Sequence, residues 1–151
     1  MTIKILVDAD AMPVKKEIVN VAKEFHLPVI MFADTSHLID DGYSKVITVD
    51  KGRDSVDMKL VQYVKANDIV ITQDYGVATM VLAKQAFAMH PNGFLFQADN
   101  LDQLLFERYL SQKSRRAGIK TSGPKKRSKD ANHLFEFEFR KLVQRVYFMI
   151  K

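Results

Sequence analysis

Ile3-Lys4-Ile5-Leu6-Val7-Asp8-Ala9-Asp10-Ala11-Met12-Pro13 is the stretch that decides the fold. Ile3–Val7 is almost wholly apolar and short, as in an interior strand buried on both faces. Pro13 stands where a first helical turn accepts a residue without an N–H. Val14, Ile18, Val21, Ala22 and Phe25 then follow at helical spacing. A buried strand thus passes into a helix through a turn that carries Asp8 and Asp10. Carboxylates at such a place must be hydrated, neutralised by cations, or used, because a lone buried carboxylate is costly.

The same alternation continues along the chain. Pro28–Phe32 reads as a second buried strand and Lys45–Val49 as a third. Val56, Met58, Leu60, Val61 and Val64 place a helix over about Asp54–Ala66. Asp68–Thr72 reads as a fourth strand, Gly76–Ala88 as a helix and Phe94–Phe96 as a short fifth strand. Asn100–Leu110 is a further helix, with Leu101, Leu104, Leu105 and Tyr109 on one side. In Asp130–Lys151 the triplet Phe135, Phe137 and Phe139 alternates like a strand, whereas Phe135, Phe139, Leu142 and Val146 recur like a helix. The longer pattern and the capping residues Asp130 and Asn132 favour the helix. Short buried strands between helices predict a three-layer α/β/α domain around a mostly parallel sheet of about five strands. Right-handed crossovers make it doubly wound, with strand order 3-2-1-4-5 and additional C-terminal helices.

With 151 residues the chain suits one domain with a full core. It has no cysteine, which excludes disulfides and thiolate metal sites and fits a reducing compartment. The N-terminus runs directly into the first strand without a secretory pattern, and no apolar run reaches the roughly 20 residues of a membrane helix. A cytoplasmic protein is expected. The net charge of +5 is concentrated in Ser111–Lys129, which holds eight Lys or Arg and no acid, so the rest of the chain carries −3. That segment, rich in Gly, Ser, Lys and Arg, reads as a basic loop or arm ahead of a helix at about 130–150. Its positive charge suits phosphate backbones, with salt-dependent and largely sequence-independent binding. Arg115, Arg116, Lys120, Lys125, Lys126 and Arg127 are the candidate contacts to RNA or another nucleic acid. The alternative is a solvated loop, or one that folds across acids elsewhere. Aromatic residues are missing inside it, so base stacking is not indicated.

In open parallel sheets ligands bind beyond the carboxyl ends of the strands, where the strand order reverses. Asp8 and Asp10 leave the first strand there, and Asp74 leaves the fourth, its neighbour at the reversal. Asp54 and Asp57, three apart, share a face at the start of the helix after strand three. All five can gather in one pocket. Clustered carboxylates raise each other's pKa unless a cation compensates, and oxygen-only donors suit Mg²⁺ or Mn²⁺. Such ions support phosphodiester or phosphoester cleavage. Each acid also has a plainer role available: Asp54 and Asp74 as helix N-caps, Asp57 as a first-turn charge on the helix dipole. Asp68, Asp40 and Asp41 read as turn residues. Thr72 shares the strand end with Asp74, as a support or as a partner to a metal-held water. Lys15, Lys16 and Arg53 are candidates to meet a phosphate, or solvated surface charges. His26, His37, His90 and His133 show no metal spacing.

Three motifs carry a family resemblance: Val7-Asp8-Ala9-Asp10-Ala11-Met12-Pro13-Val14-Lys15, Gly52-Arg53-Asp54-Ser55-Val56-Asp57 and Asp68-Ile69-Val70-Ile71-Thr72-Gln73-Asp74. With Pro91-Asn92-Gly93, Arg115-Arg116-Ala117-Gly118 and Gly123-Pro124, they make the chain resemble the YaiI/YqxD family over nearly its whole length. That family has a fold related to PIN-domain nucleases. The resemblance implies a single PIN-like domain over residues 1–151 with an acidic centre that holds Mg²⁺ or Mn²⁺ and cuts RNA. By motif, Asp8, Asp57 (or Asp54) and Asp74 match the metal-binding acids, with Asp10 beside them. The fourth acid usual in such nucleases has no counterpart just after Asp74, and Asp99 is the substitute. Two other functions fit the residues: a non-catalytic nucleic-acid-binding protein, and a phosphatase of the haloacid dehalogenase type. In the second, Asp8 is the nucleophile and Asp10 the general acid, although Met12 stands where that class carries Thr or Val.

Overall fold

In a computed structural model, which describes residues 3–34, 39–50, 55–116, 118 and 126–150, the opening stretch forms the central strand β1 (Ile5–Asp8). The remaining elements follow as α1 (Lys15–Glu24), β2 (Val29–Asp34), β3 (Lys45–Val49), α2 (Val56–Tyr63), β4 (Ile69–Ile71), α3 (Tyr75–Ala83), β5 (Phe87–Met89), α4 (Ala98–Arg116) and α5 (Lys129–Ile150). The five strands are parallel in the order β3-β2-β1-β4-β5, as the alternation predicts.

Alternate residues of each strand serve different cores. Ile5 and Val7 of β1, Met31 of β2 and Ile69 and Ile71 of β4 pack against Ile18 and Ala22 of α1 and Phe135, Phe139 and Val143 of α5. Leu6, Phe32 and Val70 point the other way, against Leu60 of α2, Val77 and Val81 of α3 and Leu101 of α4. This parity fixes where the acids go. Asp8 follows Leu6 by two and therefore stands on the α2–α3–α4 side. Val7 pairs with Ile71, so the next residues, Asp8 and Thr72, emerge side by side. The reversal of strand order between β1 and β4 falls at this point.

Several boundaries differ from the sequence reading, each for a local reason. The fifth strand is Phe87–Met89, not Phe94–Phe96. Gln85 takes a left-handed φ of 62° and closes α3 at Ala83, a turn that no glycine or proline announces. Phe94–Phe96 instead folds back on β5, through an antiparallel bridge of Met89 with Leu95 and a Phe96 N–H bond to the Ala88 carbonyl. Helix α2 is capped by Ser55, whose hydroxyl accepts from the Met58 N–H at 3.2 Å, so the cap is not Asp54. It ends at Tyr63, short of Ala66. Helix α4 continues through Ser111–Arg116, so the first part of the basic segment is helical and not a loop. The C-terminal stretch is one 22-residue helix, with Phe135 and Phe139 buried and Phe137 57% exposed, which resolves its ambiguity in favour of the longer period. No helix among the described residues is long and apolar enough to cross a membrane.

Candidate functional site

Asp8 sits at the last position of β1, half-buried, beside Thr72. Thr72 is fully buried. Its hydroxyl donates to Asp8 Oδ2 at 3.2 Å and accepts from the Asp74 N–H at 3.0 Å. One hydroxyl thereby ties the end of β1 to the turn after β4, and the support role suggested for Thr72 is the observed one. Asp74 caps α3, with Oδ1 accepting from the Val77 N–H at 3.1 Å. Gly76 leaves room for that oxygen, since a Cβ at this position would come within 3.1 Å of it. Capping occupies one carboxylate oxygen, and Asp74 also lines the cleft described below.

The turn after β1 is strained and held in place. Ala11 adopts a left-handed φ of 57°, a cost for a residue with a side chain. Gln73 Nε2 donates to its carbonyl at 3.1 Å, fastening this turn to the end of β4. Asp10 Oδ1 accepts from the Asp34 N–H at 3.4 Å, so Asp10 shapes the junction between β1 and β2. Asp34 ends β2 and brings a further carboxylate to the same edge of the sheet, one that a strand ending at Phe32 conceals.

Asp8, Asp10 and Asp74 line a cleft of about 590 Å³ whose far wall is α4. Leu104, Glu107, Arg108 and Ser111 supply that wall at spacings of three and four, one face of the helix. Arg108 is the one cation on the lining, and it makes no hydrogen bond or ion pair with any described residue. Glu107 and Arg108 give no sequence signal, because only α4's placement over the β4–α3 turn brings them to the acids. Asp99 is exposed in the first turn of α4, bonded to the Asn100 N–H, and does not line the cleft. Asp57 is half-buried in the first turn of α2, where its Oδ1 accepts from the Met58 N–H at 3.0 Å. Asp54 and Arg53 lie outside the described residues.

The electrostatics single out Asp8. Its pKa is raised from 3.8 to about 6, chiefly by burial; the Thr72 hydrogen bond opposes the rise, and the negative charges of Asp10, Asp74 and Asp57 add to it. Of the five acids named as a group, Asp10, Asp74 and Asp57 thus act on Asp8, although Asp57 does not line the cleft and Asp54 lies outside the described residues. Among the described residues, no set of three or more His, Asp or Glu side chains stands close enough to hold a metal ion unaided. The donor chemistry still fits one class of cation. Mg²⁺ keeps several waters and commonly takes only one or two protein carboxylates plus substrate phosphate oxygens.

The basic candidates are distributed differently. Lys126 is exposed just before α5. Arg115 and Arg116 end α4, their side chains outside the description, as are Lys120 and Lys125 altogether. Arg127 is an anchor: it donates to Asn132 Oδ1 and the Pro91 carbonyl at 2.5 Å each and to Asn92 Oδ1 at 2.8 Å. This clamp joins the start of α5 to the turn after β5. Beneath it, His90 is pushed down to about 4, by burial first and by the Arg127 charge second. Lys15 and Lys16 do not line the acidic cleft; with Lys23, Asp40 and Asp41 they line a separate hollow of about 440 Å³ outside α1.

A parallel sheet in the order β3-β2-β1-β4-β5 with acids at its switch point defines the general class: a doubly wound α/β protein with an acidic cleft at the carboxyl edge of its sheet. Residues 6–145 match the family model described as "Uncharacterized BCR, YaiI/YqxD family", and the chain belongs to that family. A UPF0178 protein of Ruminiclostridium cellulolyticum is 57% identical over 133 residues, covering 88% of this chain and 87% of that one. A UPF0178 protein of Natranaerobius thermophilus is 46% identical over 149 residues, covering 98% of each. No solved structure matches the chain.

Proposed function

We propose that the cleft binds a divalent cation, Mg²⁺ or Mn²⁺, and hydrolyses a phosphodiester bond of RNA. The observation that carries this reading is Asp8: a carboxyl held near pH 6 by burial and by three like charges, with one hydroxyl as its hydrogen-bonded partner. A bound cation removes that repulsion, and its own charge would pull Asp8 back to the ionised form at neutral pH. Asp8 and Asp74 would hold it, with waters and a substrate oxygen filling the remaining positions, while Asp10 and Asp57 add negative charge nearby and Asp54 stays an alternate outside the described residues. When bound, such an ion polarises the phosphate and lowers the pKa of a water molecule. The chain's own residues would do the rest. Thr72 would hold the Asp8 carboxylate in place through its hydroxyl. Arg108, on the opposite wall and without an ion-pair partner among the described residues, would take a phosphate oxygen of the substrate. The basic end of α4 and Lys126 would extend the phosphate contact along the strand.

Incubating the protein with single-stranded RNA and Mn²⁺, beside Asp8→Asn and Asp74→Asn, tests this. Asparagine is as good an N-cap as aspartate, so Asp74→Asn removes the charge and keeps α3. Cleavage that needs the metal and falls by about 100-fold or more in both variants is the expected result. Salt-sensitive RNA binding without cleavage at any metal concentration would make the protein a non-catalytic binder. Hydrolysis of a small phosphomonoester, with phosphate trapped on Asp8, would move it to the dehalogenase-type phosphatases.

A further inference from the structure

We propose that the outward face of α4 is a self-association surface, on which a second copy of the chain packs its own α4 antiparallel across a two-fold axis. One face of this 19-residue helix is the cleft wall at Leu104, Glu107, Arg108 and Ser111. The opposite face carries Leu105, Phe106, Tyr109 and Leu110, which are 42, 59, 57 and 44% exposed. The helix spacing predicts packing for Leu105 and Tyr109; no described element of the same chain buries them. Four large apolar side chains together on one helix face are more than a surface normally shows without a partner.

The arrangement of that face selects the occupant. At 100° per residue, Phe106 and Tyr109 lie about 30° on either side of a midline, and Leu105 and Leu110 about 70° on either side of it. Asp102 and Lys113 fall within about 10° of the same line, beyond the apolar group at its two ends. Both are exposed, and neither makes a hydrogen bond or ion pair with a described residue. The pattern maps onto itself under a two-fold axis between Glu107 and Arg108. Phe106 then meets the partner's Tyr109, Leu105 meets the partner's Leu110, and Asp102 meets the partner's Lys113. Parallel pairing would set like charges against each other, so the charges fix the direction as well. The two clefts would open on the far flanks of the pair, each keeping its Arg108 wall braced from behind. The surface does not depend on what the cleft binds.

Sedimentation equilibrium on the full chain, from about 1 to 200 μM, is the test; a single helix pair is a small interface, so a dissociation constant on the order of 10 μM is expected. Phe106→Glu should weaken the dimer about 30-fold or more. Asp102→Lys and Lys113→Asp should each weaken it about fivefold at low salt, and the double exchange should restore it. These two exchanges are at exposed positions and keep the test valid if Phe106→Glu misfolds, which circular dichroism reports. A monomer throughout the range, a dimer indifferent to Phe106→Glu, or single exchanges that the double exchange fails to rescue would each overturn the proposal.

Discussion

Asp68 and Asp8 stand at opposite ends of neighbouring strands, and their surroundings are opposites too. Asp68, at the amino edge, has a side chain only 3% exposed, with a donor at every turn. It takes the Lys4 ammonium at 2.5 Å, the Lys4 N–H at 3.1 Å and the Lys65 N–H at 2.9 Å. Asp8, at the carboxyl edge, has one hydroxyl and three carboxylates around it. The first is a buried charge fully used in holding β1 to β4. The second is a carboxyl crowded by like charge, which the proposed cation would relieve. Burial alone therefore does not separate the two acids; the sign of what surrounds each does.

The contrast is open to attack by substitution. The largest effect belongs to Asp68→Ala, which strands the Lys4 ammonium and two backbone N–H groups and should cost about 3 kcal/mol in urea unfolding. Arg127→Ala removes the clamp between α5 and the turn after β5, and a loss of about 2 kcal/mol is expected in the same assay. A basic residue merely solvated in an arm would show almost none. Asp8→Asn should act in the opposite direction. Its folded pKa of about 6 lies above the ordinary 3.8, so between these values the native state holds more protons than the unfolded chain. Stability then falls as pH rises through that window. Discounted for partial solvation, the loss at pH 7 is about 1–2 kcal/mol, which Asp8→Asn should recover, with no gain left near pH 4. Thermal melts at both pH values read this directly, and equal destabilisation at both would refute the raised pKa of Asp8. The smallest effect is that of Ser55→Ala, about 1 kcal/mol for the lost cap of the helix that carries Asp57.

The carboxyl edge was more legible in the sequence than its walls. Strand order and the convergence of Asp8, Asp10 and Asp74 follow from alternating buried strands and the switch-point rule, which need only local patterns. Asp68 reads as a turn residue because its partners, Lys4 and Lys65, are supplied by β1's neighbourhood and by the chain just before β4. Gln85 hides the end of α3, since a left-handed residue other than glycine leaves no trace in composition. Arg108 and Glu107 reach the cleft only through helix packing at long range. Leu105 and Tyr109 share the helical period of Leu101 and Leu104, yet only Leu101 is fully buried. Periodicity reports that a face is apolar, not which surface covers it.

Mn²⁺ binding followed by electron paramagnetic resonance at neutral pH, in the unaltered chain and in Asp8→Asn, tests the central claim most directly. Uptake of Mn²⁺ at submillimolar concentration, lost in Asp8→Asn and retained in Asp68→Asn if that variant folds, is the predicted result. A chain that takes up no Mn²⁺ at millimolar concentration, or one in which Asp8→Asn binds it equally well, would contradict the reading of this edge as a cation site.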